Sequence, residues 1–423
     1  MNIITYFQQL TQIPHCSHKS EALQTFLVDF AQKRGYQTKI DKAGNILVFK
    51  GNPGLSLQAH YDMVCVGKAP QIKTFIKDGW MQAENASLGA DNGMAIAMMM
   101  ALMDEGRECE YLFTADEEVG LIGANALQFP LQSKYMLNLD SEDEAEVYIG
   151  CAGGVDIFAH KHYTLTETDQ SFYEILVSGL PGGHSGVDID KNIPNAIKLF
   201  ASYCKDKDIH IVSVEAGERI NSIPVHVKAV VATSQSLVPK EYIHIRELHE
   251  KHPVISQSRE IVDLIDHFQN GVLAFHEELG IPDRSINLAL LKIENGLCEI
   301  AASARAMDQE GLETVEERTK DFFIRYGYDV RSEGKYPAWK PEINRFSEIV
   351  CEKTKEIFPS CEYKAIHAGL ECAVISNLYP HIKIASIGPN IRSPHSVSER
   401  VEIASVQKVY QVVRKVIDAV ENS

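Results

Sequence analysis

The sequence predicts an α/β protein whose first domain is interrupted by an inserted second domain, and three observations lead to this. Strand-like and helix-like runs alternate over the first third of the chain. After the glycine-rich run at 150–154 the pattern changes to alternating strands with helices between them. Side chains of the metal-binding kind cluster in short motifs only in the two outer segments. We therefore expect a catalytic domain made of residues 1–155 and 335–423, with residues 156–334 as the insertion.

Hydrophobic periodicity predicts the individual elements. In the outer segments, helical spacing of apolar residues predicts helices over 21–34, 95–103, 345–357 and 404–419. Short apolar runs in the same segments predict strands over 45–50, 55–59, 111–114, 135–139 and 383–387. The insertion contains strand-like runs at 173–177 and 225–232. Its polar, histidine-rich segment 238–253 is expected to be an insertion or a surface helix rather than core.

The composition is that of a soluble globular protein. At 423 residues the chain is long enough for two domains, and 45% hydrophobic with 23% charged residues is ordinary for that class. A net charge of −17 argues against nucleic-acid and anionic-membrane partners. We expect no signal peptide, no membrane span and a cytoplasmic location. Nine scattered cysteines without C-x-x-C spacing predict reduced thiols.

Four short stretches each place a metal-binding side chain just after an apolar run, and a fifth such stretch lies near the C-terminus. The side chains concerned are His60, Asp62, Asp91, Glu117, Glu118, Asp140 and His395. In an open α/β sheet the ligand site lies beyond the carboxyl ends of the strands, so motifs at such ends can converge. Nitrogen and oxygen donors with open positions suit catalytic zinc, and manganese or cobalt would also fit.

These residue types can supply the ligands and the general base of a two-metal site. His60 offers one imidazole nitrogen as a ligand, and Asp62 is placed to hydrogen-bond the other nitrogen and so fix the tautomer. Asp91 lies in a glycine-containing turn where a carboxylate can bridge two ions. The ligands that complete the two ions would be Asp140, Glu118 and His395. Glu117 is not needed as a ligand, so it can take a proton from water and hand it to the leaving amine.

Each residue also has an ordinary structural interpretation. A lone histidine is more often a surface or hydrogen-bonded core residue than a ligand, and the chain has 16 of them. An Asp-Glu-Glu run is usually a solvated turn, and Asp91 alone could be the N-cap of a helix. The occurrence of all the motifs together, in this order and at predicted strand ends, makes these separate interpretations hard to sustain.

The order His-x-Asp, Gly-Ala-Asp-Asn-Gly, Asp-Glu-Glu, Asp and a late His resembles the co-catalytic zinc dipeptidase family, which includes carnosinases, glutamate carboxypeptidases and tripeptidase T. Further runs favour a dipeptidase subgroup and extend the similarity nearly end to end. They cover residues 13–17, 182–189, 366–372 and 386–389, the last leading to the segments 395–396 and 399–401.

The resemblance implies a zinc-peptidase catalytic domain, with a mixed sheet flanked by helices, and an inserted α+β domain that serves as lid and dimerisation surface. It implies two Zn²⁺ ions, one held by His60, Asp91 and Asp140, and the other by Asp91, Glu118 and His395. It also implies that Asp62 is the histidine's partner, that Glu117 is the base, and that the peptide after Asp91 is strained. The protein is then expected to be a homodimer.

Candidate substrate contacts come mainly from the insertion. By resemblance, His184 belongs to the lid, often that of the partner subunit, and stabilises the oxyanion; the alternative is a flexible glycine-rich turn. Asn221 resembles a lid asparagine that assists there, or is a turn residue before a strand. Arg305 could bind the C-terminal carboxylate of a substrate, or form a surface salt bridge. His367 and Glu371 are expected in the catalytic domain, where Glu371 either receives the α-amine or supports its loop.

We therefore expect metal-dependent hydrolysis of small peptides, namely unblocked dipeptides with Xaa-His among them. One alternative is a related amidohydrolase that acts on N-acyl amino acids or tripeptides. Another is a binding protein without activity on the same fold. The presence of Glu117 together with every expected ligand argues against the binding protein, because a buried cluster of carboxylates is costly without a metal.

Overall fold

Residues 3–422 are described by the structure, a computed structural model, and they fall into two units. The first unit comprises Met1–Gly150, Pro341–Ala365 and Leu370–Ser423, and the second comprises Cys151–Lys340 and Ile366–Gly369. The short return at 366–369 was not anticipated. It places His367 in the second unit, so the expectation that this residue belongs to the catalytic domain is wrong. The cause is non-local, because the ring Nε2 of His367 lies 2.7 Å from the hydroxyl of Ser285 in that unit.

Ten α-helices occur within residues 3–422. In chain order they are α1 (Ile3–Leu10), α2 (Glu21–Gln32), α3 (Ala90–Asp104), α4 (Ile122–Asn125), α5 (Ala196–Cys204), α6 (Ser258–His267), α7 (Gln309–Arg325), α8 (Arg345–Lys355), α9 (Glu371–Leu378) and α10 (Ile403–Glu421). The predicted helices 21–34, 95–103, 345–357 and 404–419 are confirmed. None of the helices in this part of the chain is both long enough and apolar enough to cross a membrane.

The strands up to residue 184 are β1 (Gln37–Ile40), β2 (Ile46–Phe49), β3 (Leu55–His60), β4 (Thr74–Lys77), β5 (Trp80–Ala83), β6 (Glu110–Thr114), β7 (Tyr135–Asn138), β8 (Glu146–Cys151), β9 (Gly153–His162), β10 (Leu165–Thr166), β11 (Ser171–Val177) and β12 (Gly183–His184). Those that follow are β13 (His210–Ala216), β14 (Ser222–Ile223), β15 (Val227–Thr233), β16 (Ile243–Leu248), β17 (Val254–Ile255), β18 (Gly271–Phe275), β19 (Pro282–Glu294), β20 (Leu297–Ala306), β21 (Asp329–Tyr336), β22 (Glu362–Ile366), β23 (Lys383–Ser386), β24 (Ile391–Arg392) and β25 (Arg400–Glu402).

The first unit is built on an eight-stranded sheet in the order β1-β2-β6-β3-β7-β23-β8-β22. Strands β6, β3, β7 and β23 pair in parallel, while β1, β2 and β8 join antiparallel to their neighbours. All six residues of β3 are buried, as expected of a central parallel strand covered on both faces. Helix α3 is buried almost throughout. Its sequence is rich in Met and Ala and is apolar on every side, so no face of the helix needs to contact solvent. A smaller sheet, β24-β25-β5-β4, completes this unit.

The parallel strands place three chain segments at one edge of the large sheet. Strand β3 ends at His60, β6 at Thr114 and β7 at Asn138, and all three run in the same direction. The residues that follow each end are those of the predicted metal-binding motifs. The edge beyond the carboxyl ends of parallel strands is where ligands bind in open α/β sheets, so the topology brings the motifs together.

The second unit is built on a nine-stranded antiparallel sheet in the order β16-β11-β15-β13-β19-β20-β9-β21, with β18 paired to β19. Side chains of helices α5, α6 and α7 share one hydrophobic core with the sheet, in which Phe200, Ile265 and Phe323 are fully buried. The predicted strands 173–177 and 225–232 are confirmed as β11 and β15. An antiparallel sheet combined with helices is the α+β class expected for the insertion.

Two further predictions need correction. Segment 238–253 lies mostly at the surface, as expected, but it is not a helix, because it contains strand β16, which pairs with β11 at the edge of the sheet. Its alternation of Ile243 and Ile245 with polar residues is the period of a strand, and its many charged residues suit an exposed edge. The prediction that all cysteines are free thiols also fails, because Cys16 and Cys65 form a disulfide. They are 49 residues apart and meet because Cys16 bridges to Met63 next to β3, a pairing that the spacing in sequence does not reveal.

Candidate metal centre

His60 ends β3 and is buried at the edge of the sheet. Its Nδ1 lies 3.1 Å from the backbone oxygen of Asp62 and 3.5 Å from that residue's carboxylate, so Nδ1 carries a proton that it can donate to them. Its Nε2 lies 3.2 Å from Oδ1 of Asp91 and 3.5 Å from Oδ1 of Asp140. One nitrogen is therefore fixed as a donor to Asp62, and the other faces two carboxylates.

A second imidazole faces the other oxygen of the same aspartate. The Nε2 of His395 lies 3.1 Å from Oδ2 of Asp91 and 2.9 Å from Oε2 of Glu118. Asp91 thus presents one oxygen to each histidine, which is the arrangement expected of a carboxylate that serves two sites. Oε1 of Glu118 is buried and has no hydrogen-bond partner among the described residues. A buried, unpartnered carboxylate oxygen is costly unless a cation satisfies it.

The donor atoms fall into overlapping sets compact enough to hold ions. His60, Asp91 and Asp140 form one set, and Asp91, Glu118 and His395 form another, with all atoms of a set within 4.8 Å of one another. Glu117 forms a third set with His60 and Glu118. Imidazole nitrogens and carboxylate oxygens suit zinc and related divalent metals. The residues present therefore fit two divalent cations, in the two groups that the sequence motifs predict.

The charges in this cluster shift the acidity of its members. Burial opposes a charge on His60, but Asp140, Asp62 and Asp91 outweigh it and raise its pKa. Burial likewise opposes a charge on His395, but Asp91 and Glu118 outweigh it and raise the pKa of this imidazole to about 11. The negative cluster thus holds protons on its histidines when no other cation is near. A divalent metal would replace those protons, which couples metal binding to pH.

The pKa of the Glu117 carboxyl group is raised by its surroundings. Burial raises its pKa well above the usual value; the nearby His60 opposes the shift, and Asp140 and Glu118 reinforce it. A carboxyl group whose pKa is raised in this way is better suited to accept a proton and give it back than an ordinary, fully ionised one.

Asp62 organises the turn that carries the acidic pair. Its Oδ1 accepts a hydrogen bond from the backbone N–H of Glu117 at 2.9 Å, and its Oδ2 accepts one from the Ser17 hydroxyl at 2.7 Å. The N–H of Glu118 approaches the same carboxylate at 3.4 Å. The predicted contact with His60 therefore exists, and the same side chain also fixes the backbone at Glu117 and Glu118. The part played by Ser17 was missed, because it comes from a loop 45 residues away in sequence.

The turn that carries Asp91 is fixed by two residues that the sequence did not single out for this role. The peptide bond between Asp91 and Asn92, which the resemblance singled out, is cis. The Asn92 side chain donates a hydrogen bond of 2.7 Å to Oδ1 of Asp140 and so links two expected ligands. Glu399, which begins the C-terminal motif 399–401, accepts hydrogen bonds from consecutive backbone N–H groups of the turn. A carboxylate four residues before the closing helix α10 gives no local sign of such a partner.

A buried polar network lies at the ends of the same strands. Oε2 of Glu371 accepts hydrogen bonds from Thr114 at 2.6 Å and from Gln58 at 2.5 Å, and Gln58 in turn accepts one from Asn138. The other oxygen of Glu371 is buried without a hydrogen-bond partner in the described part of the chain. Burial and Asp140 raise the pKa of this carboxyl to about 7, although Thr114 and Gln58 oppose the shift.

In the second unit, His184 has a defined tautomer. Its Nδ1 accepts hydrogen bonds from the backbone N–H groups of Gly186 at 3.1 Å and Val187 at 3.3 Å. Burial, and then the charge of Arg305, lower its pKa to about 4. At neutral pH the ring is therefore uncharged and carries its proton on Nε2, which can donate it. Asn221 lies beside it, because Ser222 pairs with His184 in a short two-stranded ribbon.

Arg305 is a buried cation on β20 rather than a surface residue. Its guanidinium donates to the Tyr336 hydroxyl at 2.6 Å, while its Nε has no hydrogen-bond partner among the residues described. Because the side chain is buried and its guanidinium donates to a tyrosine hydroxyl, the alternative of a surface salt bridge does not hold. His367, whose pKa burial and Arg305 lower to about 3, adds a neutral imidazole to this group. The cluster is suited to receive an anion.

Comparisons with known proteins find relatives that cover nearly the whole chain. The family model described as Peptidase family M20/M25/M40 matches residues 56–419. The cytosol non-specific dipeptidase of Escherichia coli (strain K12) is 29% identical, over 97% of this chain and 96% of that protein. The crystal structure of aminoacylhistidine dipeptidase from Vibrio alginolyticus superposes with a TM-score of 0.86 at 27% identity, covering 99% of this chain and 96% of that one. A tripeptidase from Staphylococcus aureus shares the fold, with a TM-score of 0.63 at 17% identity. The superposition covers 100% of this chain and 98% of that one.

Proposed function

The chain belongs to peptidase family M20/M25/M40, and on that premise we propose that it is a metal-dependent dipeptidase acting on unblocked dipeptides, Xaa-His among them. The observation that carries the proposal is the pair of donor sets that share Asp91, with Glu117 beside them and not required by either. The relatives that cover nearly the whole chain are named as dipeptidases, which supports this substrate class. The sets on His60, Asp91 and Asp140 and on Asp91, Glu118 and His395 would hold the two ions.

Divalent ions held there would polarise the scissile carbonyl and lower the pKa of a water molecule. The carboxylate of Glu117 takes a proton from the attacking water and later delivers it to the nitrogen of the leaving amine. Its burial among acidic neighbours favours the protonated state that this delivery needs. Asp62 keeps the imidazole of His60 in one tautomer and holds the backbone of Glu117 in place.

The second unit and Glu371 would recognise the substrate. His184, neutral and with its proton on Nε2, would donate a hydrogen bond to the oxyanion, with Asn221 assisting. Arg305 would bind the C-terminal carboxylate, since it is a buried cation without a carboxylate partner among the described residues, and His367 would contribute to the same pocket. The free oxygen of Glu371 would accept a hydrogen bond from the α-amine.

The identity of the metal, the assembly and the location are part of the same proposal. We assign zinc as the metal because the donors are imidazole and carboxylate, with manganese or cobalt as substitutes. A homodimer formed through the second unit follows from the family resemblance, and the cytosol is the location that the name of the E. coli relative indicates.

Metal analysis combined with a peptide panel tests the proposal. The purified protein is expected to hold two divalent ions per chain and to cleave free dipeptides far faster than N-acetylated dipeptides, C-terminal amides or tripeptides. Cleavage of N-acetylated dipeptides or tripeptides as fast as free dipeptides would favour the amidohydrolase or tripeptidase instead. A protein that holds two ions and cleaves none of the panel would refute the dipeptidase assignment.

A further inference from the structure

The Glu399 carboxylate closes the backbone turn that leads into the shared aspartate. Glu399 is buried, with 2% of its surface exposed. Its Oε2 accepts hydrogen bonds from the backbone N–H groups of Leu88 at 2.6 Å and Gly89 at 2.9 Å. Its Oε1 accepts from those of Ala90 at 2.8 Å and Asp91 at 3.3 Å. One side chain thus satisfies four consecutive N–H groups, including that of Asp91 itself.

The same carboxylate ties together two segments that are about 300 residues apart in the sequence. His395 lies four residues before Glu399, and Asp91 is the residue whose N–H Glu399 accepts. These two residues belong to one donor set, with 3.1 Å between His395 Nε2 and Asp91 Oδ2. The short loop between His395 and Glu399 is itself constrained, because the N–H of Glu399 donates a hydrogen bond to the Ser396 carbonyl at 3.2 Å. Moving Glu399 would therefore change the spacing of these two donors.

The turn offers few other conformations. Gly89 has φ of +71°, in the left-handed region that favours glycine, and a Cβ there would lie 2.9 Å from the Met63 sulfur. The N–H groups that open a helix have no partner inside the helix and carry partial positive charge. Of the four donors, Ala90 and Asp91 open α3, and Leu88 and Gly89 precede it. A carboxylate accepts from all four with two negative oxygens, whereas a carboxamide offers one neutral oxygen and an NH₂ group that would face N–H groups.

We propose that Glu399 is a positioning residue that sets the distance between Asp91 and His395 and thereby the affinity for the ion held by Asp91, Glu118 and His395. The inference rests on the metal binding of the proposed function and not on the identity of the peptide substrate. It predicts the larger effect on this ion. The other donor set shares Asp91 but takes its remaining donors from His60 and Asp140, and no hydrogen bond joins Glu399 to either of them in the described structure, whereas the loop of Glu399 carries His395.

A matched control separates this role from a general contribution to folding. Glu110 is also a buried carboxylate that accepts four hydrogen bonds, with the hydroxyls of Ser56 and Ser133 and the backbone N–H groups of Gln132 and Ser133 as donors. It lies at the start of β6, at the end of the strand opposite to Thr114 and the metal centre. Glu399→Gln and Glu110→Gln therefore remove the same charge from similar surroundings, and only the first is tied to a donor set.

The experiment measures cobalt and zinc binding by chelator competition, together with the visible absorption of the cobalt-loaded protein. For Glu399→Gln we expect one of two ions to bind 10- to 100-fold more weakly, with a changed cobalt spectrum, a loss usual for residues that orient ligands. Glu110→Gln is expected to unfold at lower denaturant concentration yet bind both ions within twofold of wild type. Two ions bound at wild-type affinity by Glu399→Gln, or an equal loss of affinity in Glu110→Gln, would overturn the proposal.

A second variant covers the case in which Glu399→Gln does not fold. Glu399→Asp keeps the charge and withdraws the carboxylate by one methylene, so we expect a loss of about three- to tenfold for the same ion. A folded Glu399→Asp protein with unchanged affinity for both ions would refute the proposal. Because no substrate is present, a wild-type protein that binds two ions but cleaves no dipeptide would refute the dipeptidase assignment and leave the role of Glu399 standing.

Discussion

Replacing Glu117 by glutamine separates metal binding from proton transfer in this centre. The change keeps the size of the side chain, leaves both donor sets around Asp91 intact and removes only the ability to accept a proton. Burial raises the pKa of Glu117 far enough that the metal-free wild type carries a proton on this side chain over part of the acidic range. The amide resembles that protonated form, so the fold is expected to tolerate the change.

The expected loss follows from the role of the group. A positioned general base contributes about 10²- to 10⁴-fold to a rate, which corresponds to roughly 3–5 kcal/mol of barrier at 1.36 kcal/mol for each factor of ten. We therefore expect turnover of Glu117→Gln to fall by at least 10²-fold with two ions still bound. Glu118→Gln is the matched comparison, because its Oε2 lies 2.9 Å from Nε2 of His395 and its loss should weaken one ion.

The same variant makes a prediction about stability without metal. An acid whose pKa is higher in the folded than in the unfolded protein destabilises the fold above its unfolded pKa, and the cost grows with pH up to the folded pKa. Metal-free wild type and Glu117→Gln should therefore unfold alike below about pH 4.5, the ordinary value for this carboxyl group. Above it, the wild type should lose stability relative to the variant, by at most about 1.4 kcal/mol per pH unit.

Turnover, metal content and urea unfolding, measured for wild type, Glu117→Gln and Glu118→Gln, test whether Glu117 is the base, a ligand or neither. Near-normal turnover in a fully metallated Glu117→Gln protein would remove this residue from the mechanism. Equal metal loss in Glu117→Gln and Glu118→Gln would mean that both side chains are ligands. A constant stability difference between pH 4 and 8 would show that burial does not raise the pKa of Glu117.

Three further outcomes are expected. Divalent metal at 100 times its dissociation constant should stabilise the fold by about 2.7 kcal/mol. In a thermal melt this corresponds to a rise in the unfolding midpoint of roughly 5–11 °C for a domain of 150–250 residues. Chelation of the metal, or Asp91→Ala, should abolish that rise. Arg305→Ala should lower kcat/KM for free dipeptides by about 10²-fold and affect C-terminal amides much less; an unchanged preference for the free carboxylate would assign its recognition to another cation. If His184 acts on the metal centre of the partner subunit in a dimer, mixing the inactive His184→Ala and Glu117→Gln proteins under subunit exchange should restore part of the activity, because a mixed dimer then contains one intact centre. No recovery despite confirmed exchange would count against a role of His184 across the dimer.

Much of the metal centre is predictable because its residues are tied to strand ends. His60 is the last residue of β3, and Asp140 follows β7 by two residues, so a prediction of the strands is also a prediction of where these side chains meet. Apolar runs mark buried parallel strands clearly, and their shared direction brings their ends to one edge. The two donor sets are accordingly composed as the motifs predict, although metal binding by these residues stays a proposal.

What escaped prediction depends on contacts between distant segments. Ser17 reaches Asp62 across 45 residues, and Glu399 reaches Asp91 across 308. Neither partner follows an apolar run or lies in a spacing typical of ligands. The disulfide formed by Cys16 and the placement of His367 in the second unit have the same origin. A single sequence shows local periodicity well, but it contains no direct record of which distant backbone groups a side chain will satisfy.

Glu371 shows how one buried carboxylate can combine two roles that the sequence left as alternatives. Its Oε2 is used by Thr114 and Gln58, which anchors the start of α9 to the ends of β6 and β3. Its Oε1 has no hydrogen-bond partner in residues 3–422, although buried carboxylate oxygens are normally satisfied. The support role is therefore structural fact for one oxygen, while the other remains open for a cationic group such as an α-amine. Since the support fixes the direction of the open oxygen, the two roles reinforce each other rather than compete.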